Sequence, residues 1–167
     1  SITMAHGMDV VLAQAGQTHG ERAHVSAVIG DSTFAHSGIT GLLNAIWNKR
    51  DGLYVVLDNG TTAMTGAQEN PFSGERMGHE NSTHVDYVLL CRALGMPAEN
   101  VLVIDGNDKV AISAGIEALS ARPGVKLLAA VGLCVMEAKE LRKTGKLEEK
   151  KAWRTLELTS CKVGRDD

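Results

Sequence analysis

Two short apolar runs, each followed by an acidic residue, constrain the fold of this chain most. The first, Val25–Ile29, leads into Gly30-Asp31-Ser32, and the second, Leu53–Leu57, leads into Asp58-Asn59-Gly60. The residues between Ser32 and Asp58 suffice for one helix and two turns, so the runs fit two parallel strands. The carboxyl ends of such strands share one edge of the sheet, where open α/β sheets bind ligands. We therefore expect Asp31 and Asn59 to lie side by side at that edge.

The rest of the chain continues this alternation of apolar runs and helical patterns. Further strand candidates are Val101–Ile104 and Lys126–Val131, and several runs are continuous, as in strands buried on both faces. We therefore predict an α/β fold with a mostly parallel sheet and helices on both faces. Because only four strands are evident, we expect either that a partner supplies another or that the chain is a piece of a larger fold.

Helices are predicted between these strands, and one before them. They run from a Ser37 N-cap through Trp47, from about Thr83 to Leu94, from Asp108 to Pro123-Gly124, and from Asp9 to about Gln17. The apolar residues predicted to face the core are Ile39, Leu42, Leu43, Ile46 and Trp47 in the first, Val85, Val88 and Leu89 in the second, and Ile112, Ile116 and Leu119 in the third.

Two segments differ from this pattern. Residues 60–81 show little periodicity and predict a long loop, a kind of segment that is usually functional inside a compact domain. Residues 137–151 are strongly charged, which favours a solvated helix over a tail that faces a partner. We therefore predict an α/β domain over residues 1–135 and a charged helical tail over residues 136–167.

Composition excludes several classes of function. The formal net charge of −3 and the aromatic content of 4% argue against a nucleic-acid surface. No apolar run approaches the roughly 20 residues that span a bilayer, and the first residues lack the basic region of a signal peptide. The cysteines Cys91, Cys134 and Cys161 are far apart, as in a reduced cytoplasmic protein, and the absence of Cys-x-x-Cys argues against an iron–sulfur cluster in this chain.

The oxygen-bearing side chains at the two strand ends indicate a metal site. Asp31 and Asn59 can each supply one oxygen ligand, and Gly60 lets the chain bend so that a carbonyl near Thr61 points back. Mg²⁺ prefers six oxygen ligands and commonly shares them with phosphates. The residues therefore predict Mg²⁺ that holds a diphosphate group, although Gly-Asp after a strand also occurs as a simple turn in which the aspartate caps a helix.

Two blocks of sequence carry a family resemblance. Residues 30–39 (Gly-Asp-Ser-Thr-Phe-Ala-His-Ser-Gly-Ile) and 57–66 (Leu-Asp-Asn-Gly-Thr-Thr-Ala-Met-Thr-Gly) resemble the thiamine-diphosphate-binding domain of 2-oxoacid:ferredoxin oxidoreductases, most closely the indolepyruvate ferredoxin oxidoreductase alpha subunits. The resemblance covers residues 7–131. It implies a cofactor-binding domain of the diphosphate (PP) type.

The resemblance also implies roles for individual residues. Asp31 and Asn59 would bind Mg²⁺ through their side chains and Thr61 through its carbonyl. The other positions implied to contact thiamine diphosphate are Gly7, Gly30, Ser32, Thr33, Ala63, Met64 and Thr65. His36 has two interpretations, an acid–base group at the active site or a histidine hydrogen-bonded to loop carbonyls.

The family implies partners that this chain lacks. A pyrimidine-binding domain or subunit would supply an activating glutamate, and an iron–sulfur or ferredoxin component would take the electrons as a 2-oxoacid is decarboxylated and coenzyme A accepts the acyl group. Ala5 stands where relatives have a cysteine, and Asp9 replaces a small polar residue. These departures leave open a structural subunit that has lost the cofactor. A separate alternative is half of a non-oxidative thiamine-dependent 2-oxoacid decarboxylase, since chains of that kind are also short and paired.

Overall fold

The computed structural model describes residues 2–15, 25–77, 80–148 and 150. Its elements in chain order are α1 (Ile2–Gln14), β1 (Ser26–Gly30), α2 (Asp31–Thr33), a π-helical stretch (Phe34–Gly38), α3 (Ile39–Trp47), β2 (Gly52–Asp58), β3 (Glu75–Arg76), β4 (Glu80–Asn81), α4 (Tyr87–Ala93), β5 (Val101–Asp105), α5 (Lys109–Ser120), β6 (Val125–Val131) and α6 (Val135–Thr144). Short 3₁₀ turns occupy Ala63–Thr65 and Ala98–Asn100.

A parallel four-stranded sheet in the order β1-β2-β6-β5 forms the centre of the fold. The four predicted strands are all present, each within a residue or two of its predicted bounds. The chain steps one way from β2 to β5 and back from β5 to β6, so right-handed crossovers place α4 and α5 on opposite faces. The predicted α/β architecture with helices on both faces is confirmed.

Two apolar clusters fill the two sides of the sheet. The larger one buries Phe34, Leu42, Tyr87 and Cys91 with the side chains of α1 against one face. The smaller one packs Leu119 of α5 against Leu53, Leu128 and their neighbours on the other face. All seven residues of β6 are buried, as the continuous apolar run predicted.

The helix after β1 begins earlier than predicted. Asp31 is its first residue, and Ser37 lies inside the π-helical stretch, so Ser37 is not an N-cap. The Ser37 hydroxyl instead donates to the carbonyl of Thr33 over 3.2 Å, a bond typical of serine within a helix. Leu42 is fully buried, whereas Leu43 and Trp47 are 46% and 81% exposed, so the predicted apolar stripe is only partly a core face.

The second predicted helix is shorter than expected. It begins at Tyr87, where the Asp86 carboxylate accepts from the Leu89 N–H over 2.7 Å as N-cap. Residues 82–86 precede the helix, and the N–H groups of Ser82 and Val85 donate there to the carbonyls of Gly74 and Pro71 in the preceding turn. Leu89 is 65% exposed, contrary to its predicted core position.

The bounds of the other elements also differ from the predicted ones. α1 begins at Ile2 rather than at Asp9, and Gln17, where it was predicted to end, lies outside the described residues. α5 follows Asp108 as predicted, with Asp108 as its N-cap, but the helix ends at Ser120, before Pro123, and Ile116 is 38% exposed. The predicted long loop at 60–81 contains a 3₁₀ turn and the β3–β4 hairpin.

The charged tail is helical in its first part, α6, and residues 151–167 lie outside the described part of the chain. Lys150 forms ion pairs with Glu75 and Glu137. Within the described residues no helix is both long and apolar enough to cross a membrane.

Candidate metal centre at the carboxyl edge of the sheet

The strand register brings two aspartates together. Gly30, the last residue of β1, pairs with Leu57, so the residues that follow these two, Asp31 and Asp58, lie beside each other at the carboxyl edge. Both side chains are only 3% exposed. The two carboxyl groups are close enough that the charge of Asp58 acts on Asp31.

The surroundings of Asp31 disfavour the charged form of its side chain. Its Oδ1 accepts from the Ser32 N–H over 2.6 Å and its Oδ2 accepts from Asn70 Nδ2 over 3.2 Å. Burial, and next the negative charge of Asp58, raise the pKa of Asp31 from its ordinary value of 3.8 to about 6. A cation placed against Asp31 would relieve both effects.

Asp58 organises the loop that follows β2. Its Oδ1 accepts from the Gly60 N–H over 2.8 Å, and its Oδ2 accepts from the Tyr87 hydroxyl over 3.0 Å. Its backbone carbonyl accepts from the Gly132 N–H over 2.7 Å, which ties the ends of β2 and β6 together. Asp58 therefore fixes the backbone from which Asn59 projects.

Asn59 and Thr61 form a compact turn beside the aspartates. Asn59 Oδ1 accepts from the Thr61 N–H over 3.1 Å, and the Thr61 hydroxyl donates to the carbonyl of Gln68 over 3.2 Å. Gly60, between them, has a φ of 80°, which a glycine adopts without strain. Thr61 is buried, whereas Asn59 is half-buried at the edge.

Two residues from later in the chain, Asn70 and Tyr87, complete the site. Asn70, in an Asn-Pro-Phe-Ser turn, donates to Asp31, and Tyr87, at the start of α4, donates to Asp58. The sequence patterns did not identify either residue as part of the site. The Asn70-Pro71 pair signals a turn, but no local pattern indicates that this turn reaches back across the sheet.

An aromatic cluster holds this segment in place. The rings of Phe72 and Tyr87 stack with centroids 4.2 Å apart and 4° between their planes. Phe34, at the start of the π-helical stretch, lies 5.7 Å from Phe72 and 6.1 Å from Tyr87 between ring centroids. The cluster anchors Phe72 and Tyr87 to the helix that begins with Asp31.

The remaining predicted cofactor contacts lie along the same edge with different exposure. Gly30 ends β1 with open space where a Cβ would stand, Ser32 is half-buried and Thr33 is exposed. Residues 63–65 (Ala-Met-Thr) form an exposed 3₁₀ turn, closed where the Thr65 hydroxyl donates to Gln68 Oε1 over 2.5 Å. His36 is exposed on the π-helical stretch.

Gly7 does not join this group. α1 packs along α3, where Asn44 Nδ2 lies 3.0 Å from His6 Nδ1 and a Cβ on Gly41 would meet Thr3. Gly41 lies ten residues after Asp31, about 15 Å further along a helix. The structure therefore separates Gly7 from the two aspartates.

Asp9, a departure from the family pattern, lies further away still. Its Oδ2 accepts from the Asp51 N–H over 3.2 Å, immediately before β2 begins. This is the amino edge of the sheet, opposite to Asp31. Asp9 therefore brings no negative charge next to the candidate metal centre.

The donor set at the carboxyl edge fits Mg²⁺. The described residues contain no group of three or more histidine, cysteine, aspartate or glutamate residues placed to hold a metal. A cation bound at Asp31 would need an amide or carbonyl oxygen as well, and Asn59 and Thr61 carry these next to it. Such hard oxygen donors suit Mg²⁺ rather than a thiophilic metal.

Comparison with known proteins gives a consistent result. Residues 1–128 match the family described as thiamine pyrophosphate enzyme, C-terminal TPP binding domain. The chain is 34% identical over 169 residues to indolepyruvate oxidoreductase subunit IorA of Pyrococcus horikoshii, covering 98% of this chain and 26% of that protein. It is 37% identical over 153 residues to the subunit of the same name from Pyrococcus abyssi, covering 87% of this chain and 23% of the relative.

Solved structures share the fold. A benzoylformate decarboxylase from Polynucleobacter necessarius aligns with a TM-score of 0.53 at 20% identity, over 77% of this chain and 22% of that one. A putative thiamin diphosphate-dependent enzyme from Mycobacterium smegmatis aligns with a TM-score of 0.51 at 21% identity, over 78% of this chain and 21% of that one. The chain thus spans about a quarter of the length of the proteins it matches.

Proposed function

The chain belongs to the thiamine pyrophosphate enzymes, as their C-terminal TPP-binding domain, and on that premise we propose that it binds the diphosphate half of thiamine diphosphate in a 2-oxoacid:ferredoxin oxidoreductase of the arylpyruvate type. In this proposal the whole enzyme decarboxylates a 2-oxoacid oxidatively and transfers the acyl group to coenzyme A. The similarity to two indolepyruvate oxidoreductase subunits supports the oxidoreductase assignment.

The observation that carries the proposal is the register of β1 and β2. It sets the buried Asp31 at the carboxyl edge next to the turn that contains Asn59 and Thr61. We assign Mg²⁺ to the side chains of Asp31 and Asn59 and to the carbonyl of Thr61. The backbone of Gly30, Ser32 and Thr33 at the start of the helix would face the diphosphate, because helix N-termini favour anions.

When bound, thiamine diphosphate supplies the nucleophilic carbon and the electron sink for decarboxylation of the 2-oxoacid. The residues of this chain hold and orient it. The exposed turn of Ala63, Met64 and Thr65 projects from the same edge and would border the thiazolium ring and the substrate. The exposed His36 ring makes no hydrogen bond to the described residues, and in this proposal it acts as an acid–base group toward the substrate.

The other components of the enzyme lie outside this chain in the proposal. A pyrimidine-binding domain or subunit supplies the activating glutamate, and an iron–sulfur component carries electrons to ferredoxin. Of the cysteines in the described residues, Cys91 is buried and Cys134 half-buried, far apart in sequence. Scattered reduced cysteines also agree with a cytoplasmic location.

The test is made on the complete native protein that contains this chain, together with its partner subunits. Addition of an arylpyruvate and coenzyme A should reduce methyl viologen or ferredoxin, and the reduction should require Mg²⁺ and thiamine diphosphate. Release of carbon dioxide without reduction of the acceptor would instead identify a non-oxidative decarboxylase. Failure of the purified complex to bind thiamine diphosphate would show a structural subunit that has lost the cofactor.

A further inference from the structure

Asn70 is a buried polar residue in direct contact with the proposed metal ligand. Its side chain is 7% exposed, and its Nδ2 donates to Asp31 Oδ2 over 3.2 Å. Asp31 and Asn70 are 39 positions apart in the sequence, so this contact is a product of the tertiary fold.

The orientation of the Asn70 amide is fixed by its own turn. Its Oδ1 accepts from the Phe72 N–H over 2.9 Å, and a backbone N–H can only donate. The NH₂ group must therefore face Asp31. Ser73 closes the turn, since its hydroxyl donates to the Asn70 carbonyl over 2.8 Å and accepts from the Asn70 N–H over 3.2 Å.

An uncharged donor is the suitable partner for a carboxylate that also binds a cation. A lysine or arginine at this position would neutralise Asp31 and compete with the metal. The amide occupies one acceptor position of Oδ2 and leaves the charge of the carboxylate in place. The Ser32 N–H does the same at Oδ1, so the carboxylate plane is held from both sides.

We propose that Asn70 is a positioning residue that orients Asp31 for Mg²⁺ in the thiamine diphosphate site. This inference rests on the proposed function, and it extends the site to the Asn-Pro-Phe-Ser turn. Residues that hydrogen-bond to metal ligands commonly change metal affinity 10–100-fold when they are replaced.

The test uses the complete native protein with its partner subunits, titrated with Mn²⁺ in the presence of thiamine diphosphate and followed by electron paramagnetic resonance. Asn70→Ser retains a side-chain acceptor for the Phe72 N–H but cannot provide the Nδ2 donor to Asp31. Asn100→Ser is the matched control, because Asn100 is equally buried and its Nδ2 donates to the carbonyls of Pro123 and Val125 at the amino edge.

The expected result is a Mn²⁺ affinity at least tenfold weaker in Asn70→Ser, with an altered Mn²⁺ spectrum, and an affinity within twofold of the unaltered protein in Asn100→Ser. An Asn70→Ser protein that binds Mn²⁺ within twofold of the unaltered protein contradicts the inference. If that variant unfolds, the titration is repeated in the cold with trimethylamine N-oxide, which favours folded states. A variant that stays unfolded there also overturns the inference, because Asn70 would then act through the fold alone.

A third variant, Asp31→Ala, separates this inference from the proposed function. Loss of Mn²⁺ binding in Asp31→Ala with normal binding in Asn70→Ser would refute only the role of Asn70. Normal binding in Asp31→Ala would refute the proposed metal site itself.

Discussion

Asp51 at the amino edge of the sheet and Asp31 at the carboxyl edge have different partners. At the amino edge, Lys126 is 1% exposed, forms an ion pair with Asp51 and donates to the Arg122 carbonyl over 2.9 Å. At the carboxyl edge, both hydrogen-bond donors to Asp31 are uncharged, and the neighbouring charge is that of a second carboxylate, Asp58.

This difference separates a structural role from a binding role. An acid that is paired with a buried lysine has its charge neutralised within the fold. A buried acid with neutral donors beside another acid creates a negative potential that a cation can neutralise. We therefore assign a role in the stability of the fold to the ion pair at the amino edge, and a role in cation binding to Asp31 at the carboxyl edge.

The largest predicted effect comes from breaking the ion pair at the amino edge. Lys126→Met removes the buried cation and leaves Asp51, whose side chain is 15% exposed, without its ion-pair partner, so we expect a loss of up to about 3–5 kcal/mol in the free energy of unfolding. Urea denaturation followed by circular dichroism measures it. Binding of Mg²⁺ and thiamine diphosphate by the folded fraction should stay unchanged, and a parallel loss of affinity would show that the two edges are coupled.

Removing the charge of Asp31 at the carboxyl edge should instead increase the free energy of unfolding. Asp31→Asn is expected to raise the stability of the metal-free protein at neutral pH, by up to about 3 kcal/mol, because Asp31 is ionised there despite its raised pKa. The same variant should lose Mg²⁺-dependent binding of thiamine diphosphate. A destabilised Asp31→Asn protein at neutral pH would contradict this assignment.

The raised pKa of Asp31 also makes the stability of the unaltered, metal-free protein depend on pH. The folded-state pKa of Asp31, about 6, lies above its ordinary value of 3.8. Its contribution to stability is therefore complete below pH 3.8 and is lost as the pH rises through 6. Chemical denaturation at a series of pH values across this range should show the free energy of unfolding fall as the pH rises. The contribution of Asp31 to this fall should be absent in Asp31→Asn.

The smallest predicted effects on stability come from removing the hydroxyl groups of two tyrosines, which form a closely matched pair. The Tyr87 hydroxyl donates to Asp58 at the carboxyl edge, whereas the buried Tyr54 hydroxyl has no hydrogen-bond partner among the described residues. We expect Tyr87→Phe to cost about 1.5–3 kcal/mol and Tyr54→Phe to be neutral or slightly stabilising. Thermal unfolding of the two variants measures this difference in stability. Equal effects of the two substitutions would contradict the prediction.

The fold was predictable because the strands are defined locally. The four apolar runs are short, continuous and bounded by turn residues, and the Asp108 cap of α5 is visible in the sequence. Helix bounds were less predictable where long-range bonds compete with local ones. Val85 N–H bonds to Pro71 rather than to a helix, and Ser37 bonds within a helix that had already begun at Asp31.

The candidate site was predictable in part for the same reason. Asp31 and Asn59 directly follow strands, so parallel pairing alone brings them to one edge. Asn70 and Tyr87 reach the site through long-range contacts such as the stacking of Phe72 on Tyr87, and no local pattern encodes them. The resemblance placed Gly7 near the cofactor, but the packing of α1 along α3 separates it from Asp31.

The most direct measurement is isothermal titration calorimetry of thiamine diphosphate into the complete complex, with Mg²⁺ and after its removal by chelation, for the unaltered protein and for Asp31→Ala. We predict that the unaltered complex binds the cofactor only with Mg²⁺, and that Asp31→Ala loses this binding while it stays folded. Binding without Mg²⁺, or unchanged binding in Asp31→Ala, would contradict the assignment of the carboxyl edge as the diphosphate site.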